Sequence, residues 1–326
     1  MSELIISSSP HIRSNDSSRR IMIHVLVALL PATLSAYIYF GVRSLVLTAV
    51  SIAACVISEY GIRKLLKRDM TIQDMSAVVT GWLLALNLPP QLPVWMAVFG
   101  GFLAIVLVKQ LFGGIGQNFM NPALTARVIL LISFAGPMTR WAIRGDGADL
   151  ITTATPLALL KEAGGRVLPD MPKYIDLLLG NVGGCIGETS ALALLLGGLY
   201  LLVQRVISPV IPLSFLGTTL LFTWAAGGPS GIFTGDGLYH ILSGGILLGA
   251  FFMATDYSTS PITTRGKWIM GVGCGLLTGV IRLFAGYPEG VSFAILIMNI
   301  LVPLIDRYTL PKPFGTPKKG GGTAHA

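Results

Sequence analysis

Apolar runs of about twenty residues recur along almost the whole chain, each long enough to cross about 30 Å of hydrocarbon. A segment placed in lipid must satisfy its own backbone hydrogen bonds, so runs of this length commit the chain to helices. Composition agrees. Of the 326 residues, 53% are hydrophobic and 12% charged, against about 25% charged in a soluble domain. Mean hydropathy is +0.73. These figures exclude a disordered chain, a coiled coil and a disulfide-stapled secreted module. The expected fold is an all-α polytopic membrane protein with about ten transmembrane helices. The spans are drawn at 21–41, 44–62, 75–88, 93–112, 122–137, 184–203, 209–227, 239–254, 268–286 and 290–306. The third is short and closes on Asn87-Leu88-Pro89-Pro90, so a broken or re-entrant segment is expected there.

The chain then divides into a tail (1–20), a first five-helix repeat (21–137), a polar loop (138–182), a second repeat (183–308) and a Gly/Lys-rich tail (309–326), disordered from Lys312. Two repeats are expected because Trp95 and Trp268 each open a span that ends in Leu-Phe, at Leu111-Phe112 and Leu283-Phe284. An odd number of spans per repeat inverts the second half, a plan of many transporters. The net charge of +8 follows from basic residues collected in inside loops, and does not call for nucleic acid. With Arg13, Arg19, Arg20, Arg63, Lys64, Lys67 and Arg68 on one side, the basic residues divide about two to one. Both termini are therefore expected in the cytoplasm of a cell-membrane protein, with the 138–182 loop outside. Ile21 onward reads as a retained first span.

Cys55, Cys185 and Cys274 stand singly in apolar surroundings, so no zinc or iron–sulfur site and no metal is expected within the chain. His11, His24, His240 and His325 form no haem ligand pair. The sharpest local pattern is Asp149-Leu150-Ile151-Thr152-Thr153-Ala154-Thr155-Pro156. Thr155 is an N-cap and Pro156 an N1 residue for a short helix through about Ala163. A helix N-terminus suits a phosphate, and a hydroxyl there could accept a phosphoester. The same pattern also describes an ordinary capped helix in a Thr-rich loop. In the turn Gly113-Gly114-Ile115-Gly116-Gln117-Asn118-Phe119-Met120-Asn121, glycines allow close backbone approach and the amides of Asn118 and Asn121 can donate and accept. That turn suits an isoalloxazine ring, and equally an irregular lead into a helix started by Pro122. Among ionisable residues in or near spans, Arg127, Glu188 and Asp256 are candidates for an ion or electron path. Glu59, Lys109, Arg282 and Asp306 are expected to be mostly interfacial.

The segment Asp149 to Thr155 resembles the flavinylation motif of Rnf-type ion-translocating electron transport complexes, which is shared with the B subunits of sodium-translocating NADH:quinone reductases. Thr153 stands where the motif usually has a smaller residue. Asp74-Met75-Ser76-Ala77, the Gly/Asn turn through Pro122-Ala123, Ala254-Thr255-Asp256, Ile281-Arg282, Tyr287-Pro288-Glu289-Gly290 and Asn299 to Asp306 resemble the same family, so the resemblance covers most of the chain. It is closest in kind to the D subunits of Rnf complexes. The resemblance implies FMN held covalently by a phosphoester to Thr155, supported by Asp149, Thr152, Thr153, Ala154 and Pro156, with Asn118 and Asn121 near a flavin. It also implies non-covalent riboflavin, a flavin transferase for maturation, and other complex subunits, one of them a second flavinylated subunit. The whole assembly would exchange electrons between ferredoxin and NAD and move Na⁺ or H⁺, with no complete activity in this chain alone. A flavin-free channel or carrier for a small solute is the alternative that the same architecture would serve.

Overall fold

The computed structural model describes residues 17–144, 150–228, 231–286 and 289–311. Asp149, Tyr287, Pro288 and the tail from Lys312 lie outside the described residues.

Helices begin where the sequence supplies a cap. The hydroxyl of Ser17 accepts from the Arg20 N–H and opens α1, Ser18–Phe40. α2 spans Val42–Leu65, and a 3₁₀ turn at Ile72–Asp74 leads into α3, Ser76–Leu86. α4, Val94–Phe102, continues as a π-helix over Leu103–Gln110. α5, Pro122–Ser133, is capped by Asn121 and followed by one turn, α6, Ala135–Met138. The loop then carries β1 (Ala142–Arg144), β2 (Leu150–Thr152), α7 (Pro156–Glu162) and α8 (Tyr174–Leu179). α9 is Ala191–Val203 and α10 is Val210–Ala226. α11, Gly237–Leu242, and α12, Ile246–Leu248, form a broken element that runs on as a π turn, Gly249–Met253. α13, Thr264–Phe284, and α14, Val291–Thr309, complete the bundle.

The protein is mostly helical. α1, α2, α13 and α14 are each long and apolar enough to cross a membrane, and α3, α4 with its π extension, α5, α9 and α10 are shorter apolar helices. Side chains such as Leu34, Ile57, Val203 and Phe284 point outward from a polytopic membrane architecture, where lipid rather than water would cover them. Leu29, Leu84, Leu86, Leu130 and Phe215 fill the centre. Close helix contact comes from small residues one turn apart. A Cβ on Gly271, Gly275 or Gly279 of α13 would come within 1.8 Å of Ser214, 2.7 Å of Phe215 or 2.5 Å of Phe222, so α13 lies directly on α10.

Three expectations change. The fold is not all-α, because β1 and β2 pair antiparallel with Ile143 opposite Ile151. The run 184–203 is helical only from Ala191, and 239–254 breaks between α11 and α12. Glycines explain both interruptions. In the first, Gly187 lets the backbone approach Leu86, which a Cβ would meet at 2.5 Å, and Gly244 sits at φ +67 in the second. Irregular backbone buried in such a bundle needs partners. Ile186 donates to the Leu88 carbonyl at 3.0 Å and Gly187 to that of Leu86 at 2.8 Å. The buried turn after α3 and the buried strand-like entry to α9 thus satisfy each other.

Candidate functional site

The β-hairpin delivers Thr155 to the bundle. Thr152 pairs with Ala142, and the Thr153 N–H donates to the Trp141 carbonyl at 3.0 Å. Thr155 keeps extended backbone (φ −71, ψ 153), and its hydroxyl accepts from the Ala158 N–H at 3.2 Å, with Pro156 at N1. The expected cap is therefore present, and α7 closes at Ala163. Thr152 and Ala154 are exposed, whereas Thr155 is 4% exposed. It lines a narrow cleft, with room for little more than a water, together with Pro156, Gly183, Gly184, Glu188, Gly244 and Glu289. A Cβ on Gly183 would meet Thr153 at 2.5 Å, so the loop can close only over a glycine.

Buried charge lies beneath that cleft. Arg127 on α5 donates to Ser292 Oγ at 2.7 Å, to Asn87 Oδ1 at 3.3 Å, to Cys185 Sγ at 3.4 Å and to Glu289 Oε2. Glu188 Oε1 is 3.3 Å from Arg127 Nη1, an ion pair without hydrogen-bond alignment. Neither oxygen of Glu188 has a hydrogen-bond partner among the described residues. Donor atoms of Cys185, Glu188 and Glu289 all lie within 4.8 Å of one another, a set of ligand type whose resident cation is the Arg127 guanidinium. The sequence marks Arg127 and Glu188 by their charge in an apolar run. It does not mark Asn87, Cys185 or Ser292, because nothing local distinguishes them.

A second cavity, of about 90 Å³, has Val79, Leu83, Phe251 and Phe252 in its walls and Lys109, Asn118, Asn121 and Asp256 as polar groups. Asn121 is largely committed. Its Oδ1 accepts from the Ala123 and Leu124 N–H groups at 3.1 and 3.2 Å, and its Nδ2 donates to the Met253 carbonyl at 3.4 Å. Asn118 donates to the Met120 carbonyl at 3.1 Å. Asp256 accepts from Ser258 and Thr259 at 3.0 and 3.2 Å. The candidates thus form two groups, with Arg127 and Glu188 under Thr155 and Asp256 beside Asn118 and Asn121.

The interfacial expectation fails for Glu59, Lys109 and Arg282, which are 0%, 3% and 3% exposed. The π stretch turns both Lys109 and Gln110 toward Glu59 on α2, at 2.9 and 2.8 Å. Asp306 is half-buried and accepts from the Ile262 N–H at 3.1 Å.

Interrupted apolar segments meeting around buried charge, under a loop that presents a capping hydroxyl, define a polytopic membrane protein with a polar site at a loop–bundle junction. The model of the NQR2, RnfD, RnfE family matches residues 5–315, and the chain belongs to that family. It is 50% identical to the D subunit of the Na(+)-translocating ferredoxin:NAD(+) oxidoreductase complex of Acetobacterium woodii, over 97% of this chain and 96% of that protein. It is 45% identical to the D subunit of the proton-translocating ferredoxin:NAD(+) oxidoreductase complex of Clostridium ljungdahlii, over 95% and 96%. A third relative, the D subunit of the ion-translocating oxidoreductase complex of Stutzerimonas stutzeri, is 42% identical over 92% and 93%.

Proposed function

We propose that this chain is the D subunit of an Rnf-type complex and carries electrons through FMN esterified to Thr155, in an assembly that couples ferredoxin–NAD electron exchange to Na⁺ or H⁺ translocation. The observation that carries the reading is the placement of the Thr155 hydroxyl at a glycine-walled cleft above buried charge. FMN held there would supply one- and two-electron redox chemistry.

The residues present fit such a group. Thr155 Oγ1 offers the ester oxygen, and Gly183 and Gly184 leave the adjoining wall without side chains. Glu188 brings two carboxylate oxygens without hydrogen bonds to the cleft. Arg127 pairs with both carboxylates beneath it, Glu188 and Glu289, and Arg282 is near enough to act on the same two acids. Thr152, Thr153, Ala154 and Pro156, with Asp149 before them, set the loop's approach. Maturation requires a flavin transferase, and partners include the other complex subunits, one of them also flavinylated.

In the second cavity we place non-covalent riboflavin, because apolar walls with a few polar groups among them match a ring of mixed polarity. Ten spans in two inverted five-helix repeats are proposed as well. In each half the third segment is short or broken, α3 with its buried turn in the first and α11–α12 in the second. Both chain ends then lie inside and Thr155 outside the cell membrane, and Arg127, Glu188 and Asp256 mark an ion or electron path between the two faces.

The test is in-gel flavin fluorescence of the denatured chain, with mass spectrometry of the peptide containing Thr155. A fluorescent wild-type band and a dark Thr155→Val band are expected. A dark wild-type band from cells that possess the transferase overturns the reading.

A further inference from the structure

On the far side of α7 from the Thr155 cleft lies a separate cavity of about 680 Å³ counted to its open mouth. Leu157 and Gly244 form the wall between the two, since a Cβ on Gly244 would touch Leu157 at 2.8 Å and approach Arg282 Nη2 at 3.5 Å. Its interior carries two buried polar side chains, Arg282 at 3% and His240 at 5% exposure. Arg282 spends its Nη groups on the His240 and Ser243 carbonyls. Its Nε–H, and Nδ1 of His240, have no hydrogen-bond partner among the described residues. Leaving a donor of a buried guanidinium unmatched costs on the order of 1–3 kcal/mol or more, so a group that accepts from it is favoured.

The rest of the lining says which group. Lys161 stands exposed at the mouth and uses one of its three N–H donors on the Ala285 carbonyl. No carboxylate lines the cavity among the described residues. Glu188 and Glu289 act on the Arg282 charge from outside the lining, Glu188 from against Gly245, and leave Lys161 as the cation at the mouth. Two cations, a ring nitrogen able to donate, and glycine backbone at 164, 165, 227 and 228 make an anion receptor rather than a cation site. Leu157, Leu160 and Leu283 are apolar walls, and Phe284 is 71% exposed at the edge. We propose that this cavity binds a phosphate group, either the headgroup of an anionic phospholipid or phosphate free in solution. Apolar walls beside an outward-facing phenylalanine, at the end of a helix long enough to cross a membrane, favour the headgroup.

The experiment uses the full chain purified in a maltoside detergent and phosphate-free buffer, with thermal unfolding followed by intrinsic fluorescence. Three additions are compared: inorganic phosphate, phosphatidylglycerol, and a phosphate-free diacylglycerol that supplies the same acyl chains. Ligands that bind only the folded state raise the unfolding midpoint. Stabilisation by phosphatidylglycerol and not by diacylglycerol supports a headgroup, and stabilisation by inorganic phosphate assigns the free ion. His240→Phe keeps the carbonyl that Arg282 grips while removing the ring nitrogen, and Lys161→Ala alters only the mouth. Each is expected to weaken phosphate affinity, read from the concentration dependence of the shift, about fivefold, equivalent to roughly 1 kcal/mol, without lowering the ligand-free midpoint comparably. Equal midpoints with phosphatidylglycerol, inorganic phosphate and diacylglycerol overturn the proposal. So does unchanged phosphate-dependent stabilisation in both variants, which would place the bound phosphate elsewhere.

Discussion

Two buried ionic clusters occupy this bundle, and they are built differently. Around Glu59 the carboxylate accepts three hydrogen bonds, from Lys109, Gln110 and Thr71 at 2.9, 2.8 and 3.0 Å, with Arg63 at 3.7 Å. Cations outnumber the acid. Around Arg127 one guanidinium faces two carboxylates, and Glu188 accepts no hydrogen bond among the described residues. A buried carboxylate with all its donors in place is a clamp whose loss is costly. One left without hydrogen bonds at the edge of a cleft is free to respond to what enters that cleft. Burial alone therefore does not separate scaffold from site; the count of donors per carboxylate does.

The largest expected effect lies above the second cluster. Thr155→Val removes the ester oxygen while nearly preserving shape, so covalent flavin fluorescence should fall to background, whereas stability should drop by only about 1 kcal/mol for the lost cap. A drop of several kcal/mol would make Thr155 part of the scaffold and blur the contrast. Next, Glu59→Gln keeps volume but leaves Lys109 and Arg63 buried without their counter-charge, which should cost about 3–5 kcal/mol in an equilibrium unfolding titration. Gly245→Ala is expected to cost about 1–3 kcal/mol, because the new Cβ would sit 2.3 Å from Glu188 and push the carboxylate out of place. The same titration, run beside Glu59→Gln, ranks the two.

Much of the bundle and one half of the site are legible in the sequence, for physical reasons. Thr155 before Pro156 is a local cap signal, and Pro89-Pro90 predicts the break after α3; both depend on neighbours in the chain. The entry to α9 reads as helix because 184–203 is apolar, although Gly187 stands there as a close-approach position, 2.5 Å from Leu86 once given a Cβ. The π stretch at Leu103–Gln110 has no comparable local signature, which is why Lys109 reads as interfacial. The Arg127–Glu289 pair joins residues 162 apart, and Arg127–Cys185 joins residues 58 apart. Contacts of that separation follow from helix packing, not from spacing.

The smallest effect discriminates most sharply. Glu188→Gln is the same isosteric change as Glu59→Gln, made where the acid has no hydrogen bond to lose. Removing its charge relieves the repulsion between Glu188 and Glu289 and leaves Arg127 paired with Glu289, Ser292 and Asn87. Arg282, which also acts on both acids, keeps Glu289 as its counter-charge. Stability should therefore fall by less than in Glu59→Gln, because Arg127 keeps a carboxylate and two hydrogen-bond acceptors. A loss as large as that of Glu59→Gln would mean that Glu188 is clamped like its counterpart, through contacts made in the assembled state. An unchanged stability, with altered electron transfer in the intact complex, would place Glu188 on the working side of the comparison.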